Sequence, residues 1–215
     1  MSAASDEEAR QLVLKTLREP AVRLMSYTVC HFFMPATDYE RIAKAVDKKQ
    51  IKVVDNPDFV NNAVYNSTDN QITIAARGDN LSKRALLVHE LTHAIQDARR
   101  MNVTHGDAEM LAYIAQQLYV LKSGGSVGAD PLLYNADMNV FGWNAIWWAA
   151  NSIATLINQN QPVPADQVET LRNGLRLTDW YKDIVAAKWD MDGVGDEEEK
   201  KPSEKPVREW HWQKG

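Results

Sequence analysis

Residues 86–95 read Leu-Leu-Val-His-Glu-Leu-Thr-His-Ala-Ile, and this run constrains the fold more than any other stretch of the chain. A helix advances about 100° per residue, so residues four apart lie within about 40° of one another on one face. His89 and His93 have that spacing, and two imidazoles can reach one metal ion without bending the backbone. Glu90 projects beside them, next to the ion's open position. Leu86, Leu87, Val88, Leu91, Ala94 and Ile95 supply an apolar surface to bury. The pattern predicts a packed helix over 82–101, capped by Ser82, with its chemistry on one stripe.

The flanking segments have different textures. Ser5 and Glu8 form a capping pattern ahead of Leu12, Val13, Leu14 and Leu17, predicting a helix over 6–18 stopped by Pro20. A second helix is expected over 21–33, ended by Pro35, and a third over 39–48, where Thr37 and Glu40 repeat the pattern. Segments 51–54, 59–65 and 71–75 are short and strand-like, and the polar run 66–70 between the last two is a turn signal. A small, mainly antiparallel sheet over 51–76 follows. Asp107 can cap a helix over 108–121. The Gly/Ser-rich run 123–128 reads as a flexible loop. A Trp-rich helix is expected over 136–156, and another over 165–189 with a break near Asn173-Gly174.

One domain over 1–189 therefore comprises a helical part (5–48), the sheet (51–76), two site helices (82–121) and a helical C-terminal part (136–189). Segment 190–205 carries seven acidic and three basic side chains with two glycines. It can bury little apolar surface, so 190–215 reads as an acidic flexible tail, with Trp210 and Trp212 free to dock. The fold class is α+β, mostly helical, with the sheet preceding the site helix.

Composition narrows the partners. Hydrophobic residues make up 45% of 215 residues, enough for a sizeable core, and the formal net charge is −5. Nucleic-acid binding needs a basic surface, so no nucleic-acid partner is expected. The apolar stretch 140–150 is too short to span a bilayer, so no membrane partner is expected either. Residues 1–8 show no basic-then-apolar leader, which gives a cytoplasmic location by default, with signal-independent secretion as the alternative. The one cysteine, Cys30, permits neither an internal disulfide nor a cysteine zinc site.

Catalytic zinc takes three protein ligands and leaves one position open. Downstream of His93 the candidates for the third ligand are Glu109, His105 and Asp107. Glu109 is favoured: it lies sixteen residues after His93 among small apolar residues, and a helical hairpin would bring it back to the ion.

The run His-Glu-Leu-Thr-His-Ala-Ile-Gln-Asp, 89–97, resembles the active-site helix of the zincin metallopeptidases, most closely the gluzincin branch. The specific part covers roughly 89–113. The resemblance implies one Zn2+ held by His89, His93 and a glutamate of the following helix, here Glu109. It implies peptide hydrolysis, with Glu90 as general base towards a zinc-activated water and then as acid. It also implies a zincin-like fold and a peptide or protein substrate added in extended form to an edge strand, taken as 71–75. Arg99 stands where the metzincin branch has its third histidine.

At position 113 the gluzincins often have an aspartate that orients a zinc histidine. Here it is Tyr113, and Asp97 or Asp107 could supply that role. Tyr113 shares a helix face with Glu109, which makes its hydroxyl a candidate oxyanion donor, with His105 as an alternative. A rival reading is a catalytically inactive zincin-like binding or regulatory protein with a structural zinc; the presence of Glu90 favours catalysis. Cys30 with His31, the tryptophans 143, 147 and 148, and the pair Arg99-Arg100 are more economically read as packing or solvated surface. His211 has no visible partner.

Overall fold

A computed structural model describes residues 3–59, 63–125, 141–179, 181–189 and 191–194. The class is α+β. Helix α1 (Ala3–Leu17) buries Ala9, Val13, Leu14 and Leu17 on one face. It ends where Pro20 forces Glu19 into extended backbone, at φ −64° and ψ 145°. The same proline opens the single turn α2 (Pro20–Arg23), a position where its missing N–H costs nothing.

The helix expected over 21–33 does not continue past Arg23. Strands β1 (Tyr27–Val29) and β2 (Phe32–Met34) form an antiparallel hairpin instead, with Val29 opposite Phe32 and Cys30-His31 as its two-residue loop. Both strands alternate buried, exposed, buried, and Cys30 takes the left-handed conformation, φ 54°, that such a loop requires. Tyr, Thr, Val and Phe suit that pleated, half-buried surface. Helix α3 (Ala36–Asp47) follows, burying Tyr39, Ile42 and Val46 at helical spacing.

Strands β3 (Lys52–Asp55), β4 (Ala63–Asn66) and β5 (Gln71–Ile74) form the second sheet, in the order β3-β5-β4. β4 and β5 are antiparallel, with Tyr65 opposite Ile72, while β3 and β5 are parallel, with Val53 opposite Ile72. Segment 71–75 is therefore not an edge. β5 is central, its Ile72 and Ile74 fully buried, and the edge beside the next helix is β4.

Helix α4 (Leu81–Ala98) packs against α3, β4 and helix α5 (His105–Lys122). Its cap is Asn80, whose side chain accepts the Lys83 N–H at 2.9 Å; Ser82 lies inside the helix, buried, its hydroxyl unpartnered among the described residues. The cap of α5 is Thr104, accepting from Asp107 N–H at 3.1 Å, in place of Asp107. In both cases the side chain three residues before the donor takes the role, as cap geometry demands. Gln96 meets Ala108 and His89 meets Tyr113, so α4 and α5 run antiparallel.

Helices α6 (Phe141–Asn158) and α7 (Ala165–Leu177) pack against each other and against α5. Positions 136–140 of the expected Trp-rich helix lie outside the described residues. α7 does not break at Gly174. That glycine is buried against α6, where a Cβ would stand 3.0 Å from the Ile146 backbone nitrogen, so its role is close approach.

The helix expected to reach 189 ends at Leu177, and the chain turns back over the start of α5. Ala187 and Val185 carbonyls accept the His105 and Gly106 N–H groups at 2.8 and 2.9 Å. Met191 and Val194 pack against the core, and Gly193 donates its N–H to Asp97 Oδ1 at 2.9 Å, so the first residues of the acidic segment are docked. Segment 195–215, with His211, Trp210 and Trp212, lies outside the described residues. No helix among the described residues is long and apolar enough to cross a membrane.

Candidate metal centre

α4 is buried on nearly all sides, which carries its polar stripe into the interior. His89, His93 and Glu109 are 6, 3 and 9% exposed. His89 Nε2 stands 3.2 Å from His93 Nε2 and 3.3 Å from Glu109 Oε2; His93 Nε2 stands 3.6 Å from Glu109 Oε1. Together the three residues form a group that could hold a metal ion. Tetrahedral bonds of about 2.0–2.1 Å put neighbouring donor atoms about 3.3 Å apart, so the observed separations match such a shell. Of the three candidates for the third ligand, the fold brings Glu109 to the histidines.

The other two candidates are elsewhere. His105 opens α5 and stacks on Trp189, ring centroids 4.6 Å apart; Trp189 in turn lies 4.7 Å from the His93 ring. Asp107 Oδ1 accepts from Arg172 Nη2 at 2.7 Å, and its Oδ2 accepts from Thr104 Oγ1 at 3.1 Å.

Neither aspartate proposed to orient a histidine does so. Asp97 accepts the Tyr65 hydroxyl at 2.6 Å and the Gly193 N–H. Gln96 stands at His93 instead: its Oε1 is 2.9 Å from His93 Nδ1, and its Nε2 donates to the Ala108 carbonyl at 3.0 Å. Among the described residues His89 Nδ1 is buried with no hydrogen-bond partner, and the buried Gln116 completes none through either amide atom. The signal that could have found Gln96 is its position one turn after His93 on the same face.

Glu90 is partly buried and stays outside the triad. One of its oxygens accepts the Tyr65 N–H of β4 at 2.8 Å. Tyr65 thereby ties the sheet edge to α4 twice, by its backbone to Glu90 and by its hydroxyl to Asp97.

Burial sets the electrostatics of the metal-free site. It pushes Glu90 up to about 7, against the pull of His89, and pushes His93 down to about 4, against the pull of Glu109. Burial opposes charge at Glu109 and His89 as well, but there the ion pairing wins. The Glu109 carboxyl is held below its ordinary value by His93 and His89, and the His89 ring is raised by Glu109, then Glu90.

Tyr113 sets its ring edge-on to His89 at 4.6 Å, and its hydroxyl lies 3.0 Å from that of Tyr181. Tyr181 donates to Glu109 Oε2 at 3.2 Å. Sequence reasoning missed Tyr181 and Trp189, because both fall in a segment read as the end of a helix. Trp147 packs edge-on against Tyr113 at 5.5 Å, while Trp148 is 76% exposed. Arg99 is engaged by the Phe33 carbonyl and Asp38, and Cys30-His31 form the hairpin loop.

The chain matches no protein-family model, no curated protein and no solved structure.

Proposed function

We propose that this chain is a zinc-dependent metallopeptidase, a zincin-like hydrolase of the gluzincin kind. The observation that carries the reading is a buried His89–His93–Glu109 donor set spaced for one tetrahedral ion, with a further carboxylate, Glu90, beside it and uncommitted to it. The donor set of two imidazoles and one carboxylate suits Zn2+. When bound, Zn2+ would supply Lewis-acid polarisation of the scissile carbonyl and acidify a water.

The chain's own residues do the rest. Glu90, next to His89 on α4, accepts a proton from the attacking water and later delivers it to the leaving amine. The Tyr65 N–H holds one Glu90 oxygen, leaving the other for that transfer. Tyr113, set edge-on to His89, is the hydroxyl that would turn to the developing oxyanion, since the Tyr181 proton is committed to Glu109. An extended peptide laid along the outer edge of β4 would pass Glu90, since that edge already turns the Tyr65 N–H towards it.

One observation favours a second reading, a structural zinc in a binding or regulatory protein: Trp189 and Tyr181 lie directly against the donor set. Metal content and turnover of a peptide library separate the two. Protein purified without chelator should carry about one zinc per chain and cleave peptides, and Glu90→Gln should keep the zinc while losing about 10²–10⁴-fold in turnover. Equal turnover in that variant would eliminate the mechanism. Zinc held by a fourth protein ligand, with no turnover, would establish the structural role.

A further inference from the structure

We infer that Gln96 is a positioning residue that selects the His93 tautomer able to bind a metal through Nε2. The inference rests on the metal-centre reading above. Gln96 is fully buried, and its side chain bridges two groups at the α4–α5 junction.

One end of the bridge fixes the other. The Ala108 carbonyl, 3.0 Å away, can only accept, so the Gln96 group facing it is the NH2. That turns Oε1, which can only accept, towards His93 Nδ1 at 2.9 Å. Nδ1 must then carry the proton, and in the neutral ring Nε2 carries the lone pair. Nε2 is the nitrogen that faces His89 Nε2 and Glu109 Oε1.

The contact does two further things. It sets the ring orientation, because an imidazole bonded at Nδ1 cannot rotate about its bond to Cβ without breaking that bond. It also couples the ligand to its partner helix, since Ala108 directly precedes Glu109. A neutral amide thus takes the place of the carboxylate that often supports a metal-bound histidine.

Two substitutions separate positioning from packing. Gln96→Leu and Gln96→Glu both lose the donor to the Ala108 carbonyl, but the glutamate keeps an acceptor for Nδ1–H. Co2+ serves as probe, with affinity read by chelator competition and coordination by its visible absorption. We expect Gln96→Leu to weaken Co2+ binding by about 10–100-fold and to alter the spectrum, and Gln96→Glu to bind within about threefold of wild type. Nitrogen-15 spectra of the histidines in the metal-free protein should show His93 as the Nδ1–H form in wild type.

Wild-type affinity and spectrum in Gln96→Leu would overturn the inference. So would equal losses in both variants, which would mark the bridge to Ala108 as merely structural, or a metal-free His93 protonated at Nε2. Wild-type protein that takes up no Co2+ would overturn the metal reading itself, while the nitrogen spectrum would still decide the tautomer.

Discussion

Glu90 and His93 lie one turn apart on α4, and the same burial moves them in opposite directions, because it penalises an anion in one and a cation in the other. In the metal-free fold Glu90 keeps its proton up to about pH 7, whereas its ordinary value is 4.5. The folded state binds the extra proton across that window, so this group's contribution to stability falls as pH rises through it. His93 has the opposite sign. Its ring stays neutral in the fold down to about 4 but titrates at 6.5 when unfolded, so stability falls as pH drops through that range. Glu90→Gln removes the first contribution and keeps the second. The stability of this variant relative to wild type should rise by up to about 3 kcal/mol between pH 4.5 and 7, read by urea unfolding with chelator present. A pH-independent difference would mean that Glu90 titrates as an ordinary carboxylate.

Gln117 presents a different residue-scale question. It is buried, and neither of its amide atoms has a hydrogen-bond partner among the described residues. Replacing it with methionine, similar in length and without the amide, should stabilise the fold by about 1 kcal/mol, visible as a higher Tm. A drop in Tm would show that the amide has a role in solution.

At the scale of elements, the centre depends on how the α4–α5 hairpin is held against β4 on one side and the returning segment on the other. Tyr65 is the pin on the sheet side. Tyr65→Phe removes the hydroxyl bonded to Asp97 and Asn70 and should cost about 1.5–3 kcal/mol in urea unfolding, since it strips a partner from a buried carboxylate. The backbone bond to Glu90 survives that change, so metal content should stay at the wild-type level. On the other side, Gly106 accepts the close approach of Val185. A Cβ there would collide with the valine side chain and stand 3.0 Å from its carbonyl oxygen. Gly106→Ala should lift the segment carrying Tyr181 and Trp189 and speed proteolytic nicking within 178–189. Unchanged nicking would mean that α5 yields instead.

At the scale of the whole molecule, a chain ending at residue 194 keeps Met191, Gly193 and Val194 against the core, whereas one ending at residue 178 loses Tyr181, Trp189 and the bond to Asp97. The second should melt several degrees below the first, because it exposes core surface and strips polar partners. Equal melting of the two would show that the returning segment adds nothing to stability.

The parts of this architecture legible in the sequence are those governed by local geometry. His89, Glu90 and His93 share a stripe because helical spacing belongs to the backbone. β5 is a strand because Ile72, Thr73 and Ile74 are all β-branched and the apolar ones fall on alternate positions. Glu109 reaches the histidines because a short connection turns α5 back along α4. Segment 27–34 forms a hairpin where the sequence predicts the end of a helix, because a short apolar run fits a helix or a pleat equally well, and only the burial of alternate residues against the core decides between them. Neither the strand order nor the contact of Tyr181 with Glu109 is legible either. A strand's own residues do not say whether both its edges are paired. Nor does spacing say which side chain sixty or more residues away will complete a hydrogen bond. Those outcomes follow from long-range packing, in which each buried polar atom must find a partner among whatever the fold brings near it.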